Sequence, residues 1–403
     1  MNRPRIAITG MGMVSALGWS ADDAWSAMEA ERSGLQPLGL FASPRCGHVL
    51  VGEVRGDCAR RSGLRGGSRS DRLAVFAARS AFEQAGLASL TEDGRGETGV
   101  VLGACTGGML DTECFVEDYV KGRKLDARLL RHHECASSAN AIARELGLGG
   151  FRATVSTACS SGAMAVAVAC DALADGEARV MLAGGADSLT RLTLNGFCSL
   201  LNVDPGGCRP FDANRNGMSL GEGAGMLVLE TEESARARGA RVLAFIGGYG
   251  STCDAHHTTA PAPDGLGVFN AMRLALESAG MAPADVDYIN AHGTGTREND
   301  AAEGAAIARM FGADPPPVSS TKRFFGHTLA AAGAIEIIVC ALALMNQKVP
   351  GNLGMATPDA SLGFTPVQRM APASLRVAMS NSLGFGGNNC SVIICRDGGE
   401  GWT

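Results

Sequence analysis

Short apolar or β-branched runs alternate with alanine-rich stretches of helical period along the whole chain. Ile6–Thr9, Thr98–Gly103, Ala153–Thr157, Val180–Gly184 and Gly225–Glu230 read as strands. Asp71–Gly86, Ser138–Leu146 and Ser161–Gly176 read as helices between them. The alternation then begins again: strands at Leu243–Gly247, Val286–Asn290 and Val318–Thr321, helices at Gly267–Ala279, Asn299–Phe311 and Gly333–Met345. Val377–Ser380 and Cys390–Arg396 close it as strands. Periods that switch in this way predict an α/β fold, with mixed or parallel sheets covered by helices.

Two of the helices, Gly162–Ala174 and Leu329–Leu344, are apolar on nearly every face. A helix of that kind belongs between two layers, not at a surface. Each follows a strand and a polar turn, which suggests an internal duplication with halves at 1–243 and 244–403. No flexible linker marks the seam, so the halves are expected to share one interface. Arg55–Arg69, rich in Gly, Ser and Arg, and the tail after Arg396 are the segments expected to be disordered.

Composition narrows the class. The chain has 403 residues, 46% hydrophobic and 19% charged, enough to bury a sizeable core. Its formal net charge of −6 excludes a non-specific nucleic-acid binder, which needs a dominant basic face. Nothing resembling a signal h-region precedes Ile6, and the apolar stretch Ile335–Met345 is too short and too polar at its ends to span a bilayer. Thirteen cysteines without a CxxC then point to reduced thiols and a cytoplasmic protein. His132-His133 and His256-His257 lack partners at metal-ligand spacing, so no metal site is expected.

Several motifs carry chemistry on paper. Gly10-Met-Gly-Met-Val-Ser-Ala-Leu-Gly18 follows a strand as a dinucleotide loop would, but position 15 is not glycine. Gly217-Met-Ser-Leu-Gly221 has the GxSxG pattern of a serine hydrolase, which makes Ser219 an alternative nucleophile. Its context is inverted, with a turn before it and a strand after it. Most cysteines should be inert buried hydrophobes. Cys159 differs, because it follows a strand and precedes the first apolar helix, whose N-terminal dipole favours a thiolate. His292 and His327 sit in glycine-rich turns of the second half. With Cys159 they make a constellation suited to thioester chemistry.

Ser156-Thr-Ala-Cys-Ser-Ser-Gly162, Arg209-Pro-Phe-Asp212, Gly221-Glu-Gly-Ala-Gly225, Asn290-Ala-His-Gly-Thr-Gly-Thr296, Ser320-Thr-Lys322 with Gly326-His327, and Asn381-Ser-Leu-Gly-Phe-Gly-Gly387 occur in that order. Together they resemble the β-ketoacyl-[acyl-carrier-protein] synthases of the elongating, Cys-His-His class over nearly the whole chain. The resemblance implies the thiolase-like fold, two duplicated halves in five α-β-α-β-α layers. It also implies decarboxylative condensation of malonyl-carrier protein with an acyl group held on Cys159. By the same resemblance His292 and His327 bind the malonyl thioester carbonyl, and Lys322 supports them with Glu336 and Asp300 as charge partners. Phe385 is the gate, its N–H joining that of Cys159 in an oxyanion hole. Thr294 and Thr296 bind the pantetheine arm, and Thr106 and Phe197 lie at the acyl pocket.

No tightly bound cofactor is implied, since substrates ride on the phosphopantetheine of an acyl carrier protein. A homodimer, or a heterodimer with a chain-length-factor-like subunit, is expected. A non-catalytic subunit of that second kind is the non-enzyme alternative, and the presence of Cys159, His292 and His327 argues against it. Arg69, Arg128, Arg131 and Arg209 are the residues expected to dock the acidic carrier, with the Arg55–Arg72 cluster beside them. Arg323-Phe-Phe325, Asn216 and Asn388 depart from the common family pattern. Gly386-Gly-Asn-Asn389 resembles ketosynthases of aryl-polyene and related specialised pathways.

Overall fold

The computed structural model describes residues 4–398. The first half contains β1 (Ile6–Val14), α1 (Ala21–Glu29), α2 (Arg69–Gln84), β2 (Thr98–Gly103) and α3 (Met109–Val120). It continues with α4 (Ala136–Leu146), β3 (Arg152–Val155), α5 (Ser161–Ala174), β4 (Val180–Asp187), α6 (Arg191–Ser199) and β5 (Gly223–Thr231). The second half contains β6 (Ala244–Cys253), α7 (Leu266–Ala279), β7 (Tyr288–Asn290), α8 (Arg297–Phe311), β8 (Val318–Ser319), α9 (Ala332–Asn346), β9 (Val377–Gly384) and β10 (Asn388–Cys395).

These strands form one ten-stranded sheet in the order β8-β7-β9-β10-β6-β1-β5-β4-β2-β3. The order is two copies of one pattern. In the first, β2 pairs parallel with β3 and β4, and β5 runs antiparallel between β4 and β1. In the second, β7 pairs parallel with β8 and β9, and β10 runs antiparallel between β9 and β6. Three antiparallel pairs, Ile6–Ile246, Ala7–Phe245 and Ile8–Ala244, join the copies edge to edge.

Burial explains the layers. The two apolar helices, α5 and α9, sit in a core cluster with Met11, Ala183 and Leu227 of one half and Tyr288, Ala378 and Val392 of the other. Strands of both halves cover them, so no polar face is needed. On the outer side of the first half α2 and α4 pack on β2, β4 and β5. On the outer side of the second, α7 and α8 pack on the strands around Ile289 and Met379. The result is five layers, α-β-α-β-α. Leu329–Asn346 is long and apolar enough to cross a membrane, yet 89% of it is buried here as the central helix.

The structure corrects two local expectations. Gly10 and Gly12 lie inside β1, not in a loop. A Cβ at these positions would stand 2.1 Å from the Ala81 carbonyl oxygen and 1.9 Å from that of Ala77. The glycines admit the backbone of α2 against the sheet, which removes the dinucleotide reading. Arg55–Arg69 is ordered. Asp57 caps a short helix at Cys58–Ser62, and Ser68 caps α2 in a reciprocal pair with Asp71. Of the tail, Asp397 and Gly398 form a turn, and 399–403 lie outside the described residues.

Candidate active site

The first catalytic candidate stands on the turn that links β3 to α5. Ala158 adopts φ +52°, a left-handed conformation that costs a non-glycine residue about 1–2 kcal/mol. Ser161 holds the turn, its hydroxyl accepting from the Thr157 N–H at 2.9 Å and donating to the Ala158 carbonyl at 2.5 Å. Cys159 is thereby presented at the helix entrance, 6% exposed. Gly384, at the end of β9, passes so close that a Cβ would lie 2.7 Å from the Thr157 oxygen.

The second half delivers the rest from equivalent turns. His292 follows β7, and His327 follows β8 through the short helix Lys322–Phe325. The Sγ of Cys159 and ring nitrogens of both histidines all lie within 4.8 Å of one another. The imidazoles meet edge to face, centroids 5.2 Å apart at 84°. A cation could share the same three donors, although the Lys322 ammonium, 3.4 Å from His292 Nδ1, opposes one.

Electrostatics sets the protonation states. Lys322 is buried, donates to the His292 carbonyl at 2.8 Å and forms an ion pair with Glu336 on α9. Burial, reinforced by Lys322, holds both imidazoles well below their ordinary 6.5. They are therefore neutral at pH 7, able to donate one N–H each. Burial also pushes the Cys159 thiol up to about 11, opposed by Lys322 and by the N–H groups of Phe385 and Cys159 itself. The dipole reading gave the wrong sign for the closed, resting site, because desolvation outweighs it. The same two N–H groups favour negative charge beside this sulfur, as the donors of an oxyanion hole would.

A cavity of about 240 Å³ joins these groups to the surface, lined among others by Thr294, Thr296, Asn299, Met218 and Phe385. The Thr294 and Thr296 hydroxyls are 2.9 Å apart. Phe385 packs against Phe197 of α6, ring centroids 5.3 Å apart and tilted by 34°. Gly386 and Gly387 follow at φ +81°, and the Asn388 amide donates to the Phe385 carbonyl at 3.0 Å.

Other expected residues lie elsewhere or are otherwise engaged. Asp300 is no partner of Lys322. It accepts from the Phe211 and Gly295 N–H groups and faces Arg215 at 3.7 Å. Thr106 does not line the cavity, because its hydroxyl donates to buried Asp187 at 2.9 Å. Ser219 is fully buried, accepts from the Cys208 N–H at 2.9 Å and has no helix after it, which rules out the hydrolase elbow. Arg69 is committed to Glu222 through Nε at 2.8 Å and Nη2 at 2.6 Å, with its side chain 14% exposed, so it is withdrawn from any docking role. Arg128 pairs with Asp126 at 2.7 Å on the surface, and Arg209 with Asp204 at 3.3 Å. Arg131 is exposed.

Two carboxylates escaped sequence reasoning. Asp187 accepts from the Cys105, Thr106 and Ala330 N–H groups, tying the first half to the turn ahead of α9. Glu303 on α8 accepts from the N–H groups of His292 and Gly293, both at 2.8 Å. Its place one helical turn beyond Asp300 is a signal the pattern of α8 contained. Burial pushes Glu303 up to about 7 from its ordinary 4.5. A folded value above the unfolded one means that its stabilising contribution is complete below about 4.5 and is lost as pH rises toward 7. Glu303→Gln is therefore expected to flatten the fall of Tm between pH 5 and 7, as calorimetry across that range will show. An unchanged slope would contradict the protonation assigned here.

Comparison with known proteins agrees with this geometry. "Beta-ketoacyl synthase, N-terminal domain" matches residues 62–235, and "Beta-ketoacyl synthase, C-terminal domain" matches 243–356. The chain belongs to the beta-ketoacyl synthase family. Its relatives include Nodulation protein E of Rhizobium meliloti, 40% identical over 97% of this chain and 98% of the other. The 3-oxoacyl-[acyl-carrier-protein] synthase 2 of Vibrio cholerae is 35% identical over 98% of this chain and all of the other. Among solved structures, the ishigamide ketosynthase/chain length factor matches with TM-score 0.94 and 36% identity, covering 98% of this chain and 100% of that one. The ketosynthase ApeO in complex with its chain length factor ApeC, from Xenorhabdus doucetiae, matches with TM-score 0.85 and 32% identity over 97% and 98%. This beta-ketoacyl synthase is accordingly an acyltransferase-type condensing enzyme.

Proposed function

We propose that the protein condenses a malonyl group with an acyl group held as a thioester on Cys159, both delivered by an acyl carrier protein, to give a 3-oxoacyl-carrier protein. The observation that carries this is the convergence of one thiol and two neutral imidazoles within 4.8 Å. In the first step Sγ attacks the donor carbonyl, its proton leaves with the carrier thiolate, and the N–H groups of Cys159 and Phe385 hold the oxyanion. A donor of that kind is worth about 2.7–4 kcal/mol. In the second, His292 and His327 donate to the malonyl thioester carbonyl while the carboxylate departs as carbon dioxide. The enolate they stabilise then attacks the acyl-Cys159 carbonyl and expels the thiolate. Lys322 and Glu336 position His292, Phe385 gates the acyl chamber beside Phe197, and Thr294 and Thr296 bind the pantetheine arm.

The halves divide at residue 243, a reading supported by the repeated strand pairing and by the limits of the two family matches. The protein works in the cytoplasm, without a tightly bound cofactor. Asn388 and the likeness to two ketosynthase–chain-length-factor structures favour a specialised polyene-type pathway and a chain-length-factor partner over a homodimer. Intact-mass measurement after incubation with acyl- and malonyl-carrier protein tests the function. A thioester adduct on Cys159 and release of 3-oxoacyl-carrier protein are expected. An adduct elsewhere, or none, overturns the reading.

A further inference from the structure

A second cavity, of about 950 Å³, lies outside the site described above and has two cysteines in its wall, Cys46 and Cys198. Both are free thiols, and they come from segments far apart in the chain. Cys198 stands on α6, one helical turn beyond Asn195, and Cys46 stands on the turn 44–48. The Ser43 hydroxyl pins the two segments together. It donates to the Asn195 side chain at 2.9 Å and accepts from the Cys46 N–H at 3.2 Å. Both cysteines belong to one apolar cluster with Phe41, Val49 and Leu194. Cys46 is 4% exposed, whereas Cys198 is only half-buried. Burial, and after it the adjacent Cys46 thiol, push Cys198 up to about 12. Exposed Arg45 stands on the rim of the same cavity, suited to a visitor that carries carboxylates.

Two thiols placed in this way can do what neither does alone. An oxidant entering the cavity reaches Cys198 first, and the shielded Cys46 sulfur is the neighbour that can resolve the adduct. We propose that Cys46 and Cys198 form a reversible redox site, oxidised to a disulfide by a low-molecular-weight disulfide that enters this cavity. The Cys198 sulfur gives up its proton and attacks one sulfur of the oxidant, whose S–S bond breaks and releases a first thiol. The Cys46 sulfur then attacks Cys198 in the mixed disulfide and expels the second thiol, which takes the Cys46 proton. Two cysteine thiols lose two electrons and two protons, and the oxidant leaves as two thiols. A protonated Cys198 makes the first step slow, so the pair stays reduced until the oxidant accumulates, as a sensing disulfide requires. The bond ties α6 to the segment around Cys46. Helix α6 also carries Phe197, whose ring packs against Phe385, so oxidation reaches the gate through the residue next to Cys198. That last consequence rests on the gating and condensing roles proposed above; the redox chemistry does not.

The test treats the full-length wild type, Cys46→Ala and Cys198→Ser with glutathione disulfide and maps the thiols by peptide mass. The wild type is expected to lose two hydrogens in a Cys46–Cys198 cross-link that dithiothreitol reverses. Cys46→Ala should instead trap one glutathione on Cys198, and Cys198→Ser should show neither product at Cys46. Matching Tm values before treatment will establish that the folds are intact. A wild type in which Cys46 and Cys198 stay reduced, or in which each carries its own glutathione, overturns the redox site. Acylation of Cys159 in the oxidised wild type is expected to fall by about fivefold or more and to return with dithiothreitol. An equal loss in Cys198→Ser, or no loss in the cross-linked wild type, overturns the link to the gate. Reduced wild type that is never acylated overturns the condensing function instead, and the mapped cross-link stands apart from that result.

Discussion

Cys159→Ala is expected to abolish both acyl-enzyme formation and condensation, while decarboxylation of malonyl-carrier protein continues. The substitution removes the nucleophile and leaves the machinery of the other half untouched. The Phe385 and Cys159 N–H groups both favour negative charge at this sulfur. The hydroxyls that follow it in the chain are engaged, Ser160 with Thr157 at 2.8 Å and Ser161 with Ala158. Alanine keeps the φ +52° turn at Ala158 and the start of α5, so the protein should fold normally. His292, His327 and Lys322 are attached to β7, β8 and α9 and do not depend on the thiol for their places. Intact mass reports the missing adduct, and release of carbon dioxide reports the surviving step. An alanine variant that still accumulates acyl-enzyme would remove Cys159 from its role.

The same separation governs what could be read from sequence. The central helices declared themselves, because α5 and α9 are apolar all round, and only a layer between sheets accepts that. The duplication was legible for a related reason, each half repeating strand, polar turn and apolar helix. What periodicity could not show was α3, Met109–Val120, which buries none of its residues in this chain. It also could not show α1 and α6, whose start is set by hydroxyl caps at Ser20 and Thr190. Among the candidate site residues, those on turns after strands could be picked out, since glycine-rich turns carrying Cys or His are conspicuous. Of the partners these turns recruit, Glu336 was named and pairs with Lys322, whereas Asp187 and Glu303 were not. Asp300 and Glu303 lie on one helix, and only the three-dimensional path of β7 decides that Glu303 takes the His292 and Gly293 N–H groups while Asp300 takes that of Gly295. Arg69 fails for the mirror reason: a basic cluster in sequence cannot reveal that Glu222, 153 residues away, takes one member inside. The direction of the Cys159 shift belongs to the same class, as the degree of desolvation is a property of the closed cavity.

His292→Ala and His327→Ala should each cost about 10²–10³-fold in condensation, the usual worth of one donor to a developing oxyanion, while slowing acylation far less. The argument starts from charge. Both rings are buried and neutral, and the Lys322 ammonium disfavours an imidazolium beside it. Neither ring is therefore poised as a strong base for Cys159. Each can give an N–H to an enolate oxygen, and both His327 nitrogens lack a protein partner, which leaves them free for substrate. Attack on the donor thioester relies on a different pair of groups, the N–H of Cys159 and of Phe385. Because the imidazoles stay neutral, the condensation limb should show no acid loss above about pH 6.5, whereas acylation should rise with pH as the thiol ionises. Single-turnover acylation followed by mass, set against single-turnover condensation starting from pre-formed acyl-enzyme over the same pH range, measures both. Equal losses in the two steps, or a condensation rate that falls with acid near pH 7, would assign the histidines to activation of the thiol instead.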